Sequence, residues 1–208
     1  MDAVEIDRGK VVDEETIGEH QTESGGFKPH ELTEDGISPR AFPGTEGGAH
    51  MSTGLEHDEQ GRRTEDTEMR VEQVDKRNRK VETAREREDF SPREFGNPDS
   101  DNLVVTWGSN EGTLVEALEF LEEEDIDVRI LSVPYLFPRP DLTEEFEAAD
   151  EVVVVECNAT GQFADVVEHD TLQRVKRINK YNGVQFKADE LANDIKETLA
   201  GEGQEVEA

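Results

Sequence analysis

The sequence predicts an α/β protein whose second half folds as a three-layer domain around a mainly parallel sheet. Three observations carry this expectation. From Leu103 onward the apolar runs LVVTW, VRILSV and EVVVVEC alternate with stretches of helical periodicity, the signature of βαβ units in a sheet buried on both faces. Between the first two runs, Leu114, Ala117, Leu118 and Leu121 recur at i, i+3, i+4 and i+7, while Glu116, Glu119, Glu122 and Glu123 take the outer face. The residues before Leu103 show no such alternation, so the main core is expected downstream of them.

Taken in order, residues 1–64 are rich in Gly, Pro and Thr and poor in periodicity, and ELTEDGISPRAFPG and TEGGAHMSTG read as successive turns and extended loops. A loop of that length seldom stands alone in a compact domain. It is expected either to be disordered or to wrap structure that this stretch does not contain, and to be mobile in isolation. Residues 65–101 read as a charged helix and linker. From residue 65 to about 89 there is no Gly or Pro, and Glu72 with Lys76, and Asp75 with Arg79, stand at the i,i+4 spacing that supports a helix. Val71, Val74 and Val81 make a narrow apolar stripe, which suits a helix lying across a surface or linking two domains. Pro92, Gly96 and Pro98 in SPREFGNPDSDN then mark a break.

Residues 102–200 form the α/β domain. After LVVTW, the helix of Leu114 to Leu121 and VRILSV, a second helix begins beyond Pro140, with Asp141 and Glu144 at capping-box-like spacing. A third follows Gly161 with Phe163, Val166 and Val167 inward. RVKRIN is the last strand candidate, Asn182 and Gly183 make a turn, and the final helix places Leu191, Ile195 and Leu199 on one side. Residues 201–208, GEGQEVEA, are expected to be a disordered acidic tail.

Composition bounds the function. The chain has 52 Asp and Glu against 22 Lys and Arg, a formal net charge of −30. Such a surface repels nucleic acid and anionic lipid. The acids are spread along the whole length, Lys is scarcer than Arg, and apolar segments survive between the charges, as expected of a folded protein from a high-salt cytoplasm, where screening relieves self-repulsion. Cys157 is the only cysteine, so no internal disulfide forms, and an iron–sulfur cluster, which takes about four thiolates, has no ligands here. His20, His30, His50, His57 and His169 are scattered without metal-ligand spacing. No apolar run approaches the roughly 20 residues of a membrane span, and MDAVEIDRGK lacks a signal core, so a cytoplasmic location is expected.

Four features could carry chemistry. The GSNEG turn at residues 108–112 could cradle a phosphate on its backbone N–H groups, but it lacks a third Gly and a P-loop Lys, and Glu111 would repel the anion, so a structural turn is the better reading. Arg174, Lys176, Arg177 and Lys180 form the one basic patch of the domain. It serves either an acidic partner or phosphorylated cofactor, or the protection of an edge strand. Cys157 ends a buried strand without a histidine beside it in sequence and reads as a core residue rather than a nucleophile. Glu56 and His57 are a conceivable acid–base couple, with loop anchoring the safer reading.

The order of segments resembles a known family. IDRGK at residues 6–10, ELTEDGISPRAFPGTEGG at 31–48, GLEHDEQGRRTED at 54–66 and the helix containing DKRNRKVE are similar to the stretch that closes the pyrimidine-binding domain in the α subunit of 2-oxoacid:ferredoxin oxidoreductases. LVVTWGSNEGTLVEAL, VPYLFPRP, VVVVECNATGQFADVV and RINKYNGVQF are similar to that subunit's following transketolase C-terminal-like domain. The resemblance implies oxidative decarboxylation of a 2-oxoacid to an acyl-CoA with reduction of ferredoxin. Thiamine diphosphate, Mg²⁺, an iron–sulfur cluster and coenzyme A are implied for the assembled enzyme, and none for this chain alone. The β subunit and the N-terminal α domains are the implied partners, with ferredoxin reached through the complex.

The family's substrate-facing Tyr-Pro-Ile-Thr-Pro type stretch is absent, so no catalytic residue is carried over and the chain is expected to be a C-terminal portion, inactive alone, that supplies scaffold and interface. Gly36, Ser38, Pro39 and Arg40 are the candidates to lie near that interface. The rival expectations are a free-standing binding or regulatory module that kept the α/β domain, and a flavodoxin-like nucleotide binder, which the weak phosphate loop disfavours.

Overall fold

A computed structural model of the chain describes residues 8–87 and 89–201. Residues 202–208, most of the tail expected to be disordered, lie outside the described residues. The chain divides into two compact units, Met1–Glu88 and Asp89–Ala208.

In the first unit, strand β1 (Val11–Val12) pairs in parallel with β2 (Arg40–Ala41), and a 3-10 turn spans Ile17–His20. Val12, Ile17, Phe27 and Ala41 close a small core beneath them. The 21-residue helix α1 (Thr67–Arg87) follows. It starts at Thr67 because the Asp66 carboxylate accepts the N–H of Met69 at 2.8 Å, filling an orphan donor at the positive end of the helix dipole.

The buried face of α1 differs from the expected valine stripe. Val71 is exposed, and the buried side chains are those of Gln73, Lys76 and Thr83. Lys76, expected to pair with Glu72 on the surface, is therefore an interior residue. The physical reason is that irregular chain lies over this face, and its carbonyls have no ladder to join, so they need donors. Gln73 Nε2 donates to the carbonyl of His30 at 2.9 Å, and Thr83 Oγ1 donates to that of Asp35 at 2.8 Å. Between them Gly36, at φ +72°, presses on the helix backbone: a Cβ there would stand 2.5 Å from both Lys76 O and Lys80 N. Asp35 holds Lys10 at 2.7 Å and Arg87 at 3.3 Å, and the Lys10 bond keeps its carboxyl well below the usual range. Within the stretch expected to be a mobile wrap, residues 10, 30, 35 and 36 thus make defined contacts with one another or with α1.

The second unit is the expected α/β domain. Strands β3 (Arg93–Gly96), β4 (Asn102–Trp107), β5 (Arg129–Val133), β6 (Glu151–Glu156) and β7 (Lys176–Asn179) lie in the order β3-β5-β4-β6-β7. Helices α2 (Asn110–Glu122), α3 (Thr143–Ala148), α4 (Gln162–Thr171) and α5 (Ala188–Leu199) connect and close them. All pairings are parallel except that of β3 with β5. β3 falls in the segment read as a break: it is a four-residue edge strand between Pro92 and Pro98, and its charged start, Arg93 and Glu94, hides it from an apolar search while suiting an edge.

Period-2 alternation splits the strands between two cores. Val104, Ile130, Val153, Val155 and Ile178 meet Leu114, Ala117 and Leu121 of α2 and Leu191 and Ile195 of α5. Leu103, Val105, Leu131, Val152 and Val154 meet Phe146 of α3 and Phe163 and Val167 of α4. At α3 the capping box is not formed. Asp141 Oδ1 instead accepts the N–H and hydroxyl of Thr143, at 3.0 and 2.6 Å, and the helix is six residues long.

Candidate functional site

An open parallel sheet presents a crevice beyond its strand ends where successive connections diverge. Here that point lies between β4 and β6, because the chain leaves β4 for β5 on one side and β6 for β7 on the other. Residues 108–110 and 157–161 form its walls. Asn110 is buried, and its Oδ1 accepts the Cys157 thiol at 3.2 Å. Cys157 itself is exposed, which corrects the core reading: β6 ends at Glu156, so the thiol lies one residue past the buried run.

Glu156 fills the N-terminus of α4 on one wall of this crevice. Its side chain is fully buried, and its two oxygens accept the N–H groups of Phe163 and Ala164 at 3.0 Å each. Those are first-turn orphan donors of α4, so a carboxylate of the chain already fills the place that a phosphate would take. Asn158 donates to the same carboxylate, and its Oδ1 gathers the N–H groups of Thr160 and Gly161 at 3.1 and 2.7 Å. Gly161 adopts φ +68°, and a Cβ there would meet Arg177 Nη1 at 2.8 Å. Of the GSNEG segment, Gly108 and Ser109 turn the chain and Asn110 to Gly112 open α2, where Glu111 pairs with Arg93 at 2.8 Å. Buried polar atoms without partners stand close by, Trp107 Nε1 at the end of β4 and Asn179 Oδ1 at the end of β7.

The first unit gathers residues that the sequence scatters. His30 and His57 stack with ring centroids 3.7 Å apart and planes at 19°. Burial, followed by the nearby His57 and Lys76 charges, pushes His30 down to about 4. Burial, then Lys80 and Arg77, lowers Lys76 to about 8. His20 Nδ1 lies 2.6 Å from Glu31 Oε2, and Lys28 pairs with the other Glu31 oxygen at 3.0 Å. No group of three or more His, Cys, Asp or Glu side chains that could hold a metal occurs among the described residues.

Glu56 and His57 make the contacts of the loop-anchoring reading. The Glu56 carboxylate takes both Arg77 Nη atoms, at 3.1 and 2.9 Å, and His57 is turned into its stack with His30. Of the interface candidates, Gly36 and Pro39 are buried, Ser38 Oγ donates to the Glu31 carbonyl at 3.1 Å, and Arg40 is exposed. In the basic patch, Arg174 and Arg177 pair with Glu168, Arg177 also with Asp165, Lys176 with Glu151, and Lys180 with Glu190. β7 is an edge strand, so the patch is a neutralised sheet edge. No helix among the described residues is long and apolar enough to cross a membrane.

Fold and site define a three-layer α/β module preceded by a loop-rich unit, with neither a phosphate loop nor a metal cluster among the described residues. No protein-family model matches the chain. It is 36% identical over 201 residues to subunit α of 2-oxoacid:ferredoxin oxidoreductase 2 of Aeropyrum pernix, covering 94% of this chain and 30% of that protein. It is 34% identical over 196 residues to subunit α of 2-oxoacid:ferredoxin oxidoreductase 1 of Sulfurisphaera tokodaii, covering 92% and 29%. The solved 2-oxoglutarate:ferredoxin oxidoreductase of Magnetococcus marinus, with 2-oxoglutarate, coenzyme A and succinyl-CoA bound, matches 86% of this chain and 32% of its own, with a TM-score of 0.69 and 28% identity. The chain belongs with the α subunits of the 2-oxoacid:ferredoxin oxidoreductases, and it spans about 30% of the length of the curated relatives it matches.

Proposed function

We propose that this chain is part of the α subunit of a 2-oxoacid:ferredoxin oxidoreductase, which converts a 2-oxoacid and coenzyme A to an acyl-CoA and carbon dioxide while reducing ferredoxin. The supporting observation is a match that runs through 94% of this chain yet fills only 30% of the relative. This stretch serves as scaffold and subunit interface. Its single cysteine does not suit an iron–sulfur cluster, and Glu156 occupies the helix terminus that a diphosphate would need, so the chemistry of thiamine diphosphate, Mg²⁺ and the cluster belongs to the β subunit and the remaining α domains. The charge of −30 supports a salt-rich cytoplasm as the working environment.

Purification in molar salt after co-expression with the companion α segment and β subunit tests the reading. The complex is expected to reduce ferredoxin only when both 2-oxoacid and coenzyme A are supplied, and the chain alone to be inert. Catalysis by the pure chain alone would overturn the proposal. Arg40, exposed beside the buried Gly36 and Pro39, is the interface candidate whose side chain can reach a partner's carboxylate. If Arg40→Ala left assembly and turnover of the reconstituted enzyme unchanged, residues 36 and 38–40 would lose that role.

A further inference from the structure

The five-stranded sheet has two ends of opposite chemistry. Where β4 to β7 begin, loops 97–101, 123–128, 149–150 and 172–175 carry Asp99, Asp101, Glu123, Glu124, Asp125, Asp127 and Asp150. Where the same strands finish, loops 108–109, 134–142, 157–161 and 180–187 carry one acid, Asp141. That acid is bound by Thr143 and sits beyond Arg139, which has already reached Asp170 near the end of α4, at 2.6 Å. One residue in four of the chain is acidic, 52 of 208, against one of the 24 residues in these four loops.

The depleted end also exposes the rings. Phe137 is 73% and Tyr181 69% exposed, with Tyr135 and Val184 exposed beside them in their loops. Phe90, leading into the antiparallel β3 and so entering from this end, meets Tyr135 edge-on at 5.0 Å between centroids, and brings with it one further acid, Asp89, whose carboxylate accepts the Ser91 N–H at 2.9 Å. Lys180 and Lys187 both pair with Glu190, so the surface is left nearly neutral. At the opposite end Leu172 is exposed too, but its loop carries a charged residue, Arg174, and no aromatic one. Depletion of charge with aromatic enrichment is the composition of an interface core, and a solvent face of so acidic a protein would carry the opposite.

We infer that the strand-finishing end of this sheet is a docking face for the part of the α subunit that this chain does not span, the occupant being an apolar, uncharged protein surface. The inference rests on the proposed function. Relatives carry the matched stretch as 29–30% of one polypeptide, so about seven-tenths of each is available to cover this face. A second copy of the chain suits it less, because it would bring a second charge of −30 against the first.

Phe137→Asp and Tyr181→Glu, with Leu172→Asp as the control at the other end, are to be co-expressed with the companion α segment and β subunit and purified in molar salt. The wild type and Leu172→Asp are expected to copurify with both companions, and each variant of the docking face to do so about ten-fold less or worse. The side chains replaced are exposed, so circular dichroism and the thermal midpoint of each variant alone should match the wild type. Undiminished copurification of both face variants overturns the assignment. Absence of any wild-type complex overturns the proposed function and, with it, the occupant, and a chain dimer that Phe137→Asp disperses assigns the face to a second copy instead.

Discussion

Replacing Gly36 by alanine tests whether the irregular chain of the first unit is held on α1 by the contacts described. At φ +72° an L-residue costs about 1 kcal/mol. The new methyl would also stand 2.5 Å from Lys76 O and Lys80 N and 2.9 Å from Lys80 Cα, well inside the ~3.5 Å of a comfortable contact. All three atoms are helix backbone, so the loop must lift instead. Lifting it loosens the bonds from Gln73 to His30 and from Thr83 to Asp35, each worth about 1 kcal/mol. The total of about 3 kcal/mol corresponds to an opened population raised on the order of 100-fold, at 1.4 kcal/mol per factor of ten. Cleavage by a salt-tolerant protease reads that population when closing outpaces cutting. Gly25→Ala is the control, because Gly25 has φ +87° and no atom within 4 Å of its would-be Cβ, so only the backbone cost of about 1 kcal/mol, roughly five-fold, applies. Equal cleavage rates for the two variants would refute the packing argument, and rapid cleavage of wild-type residues 8–64 would restore the mobile wrap.

Glu156→Gln should lower the stability of the α/β unit by about 2–3 kcal/mol, since an amide turns an NH2 toward one of two helix N–H donors. Thermal unfolding followed by fluorescence of Trp107, in the same unit, checks this, and an unchanged midpoint would contradict the capping role. The first unit should hold its full His30 contribution above about pH 6.5 and lose it as pH falls toward 4, because the unfolded imidazole takes up its proton near 6.5 and the buried one only near about 4. The loss is about 1–3 kcal/mol, and His30→Gln should flatten it; an unaltered pH profile in that variant would assign the effect elsewhere. Cys157 should be alkylated by iodoacetamide in the native protein without denaturant, whereas a thiol protected until unfolding would return it to the core. Desalting should destabilise the chain through repulsion among its 52 acids, and a salt-independent melt would argue against adaptation to a salt-rich cell.

Much of the second unit was legible because its signals are local and periodic. The runs that became β4, β5 and β6 are apolar on both faces, and Leu114, Ala117 and Leu121 repeat at helical spacing, so any fold that buries them must form these elements. The chain's charge and the ordered resemblance to one enzyme subunit were equally readable. Other features depended on which distant segments meet. β3 exists because Arg93 to Gly96 find Ser132 to Arg129 to pair with, and nothing in four residues, two of them charged, announces that. The α1 face that is buried is polar, since what lies on it is irregular backbone in need of donors rather than another apolar surface. His30 meets His57 across 27 positions of sequence, and the acid-poor end of the sheet appears only once parallel pairing sets four separate loops side by side. Sequence by itself determined the elements whose burial is written in their own period, while tertiary structure decided every feature whose energy depends on a partner far along the chain.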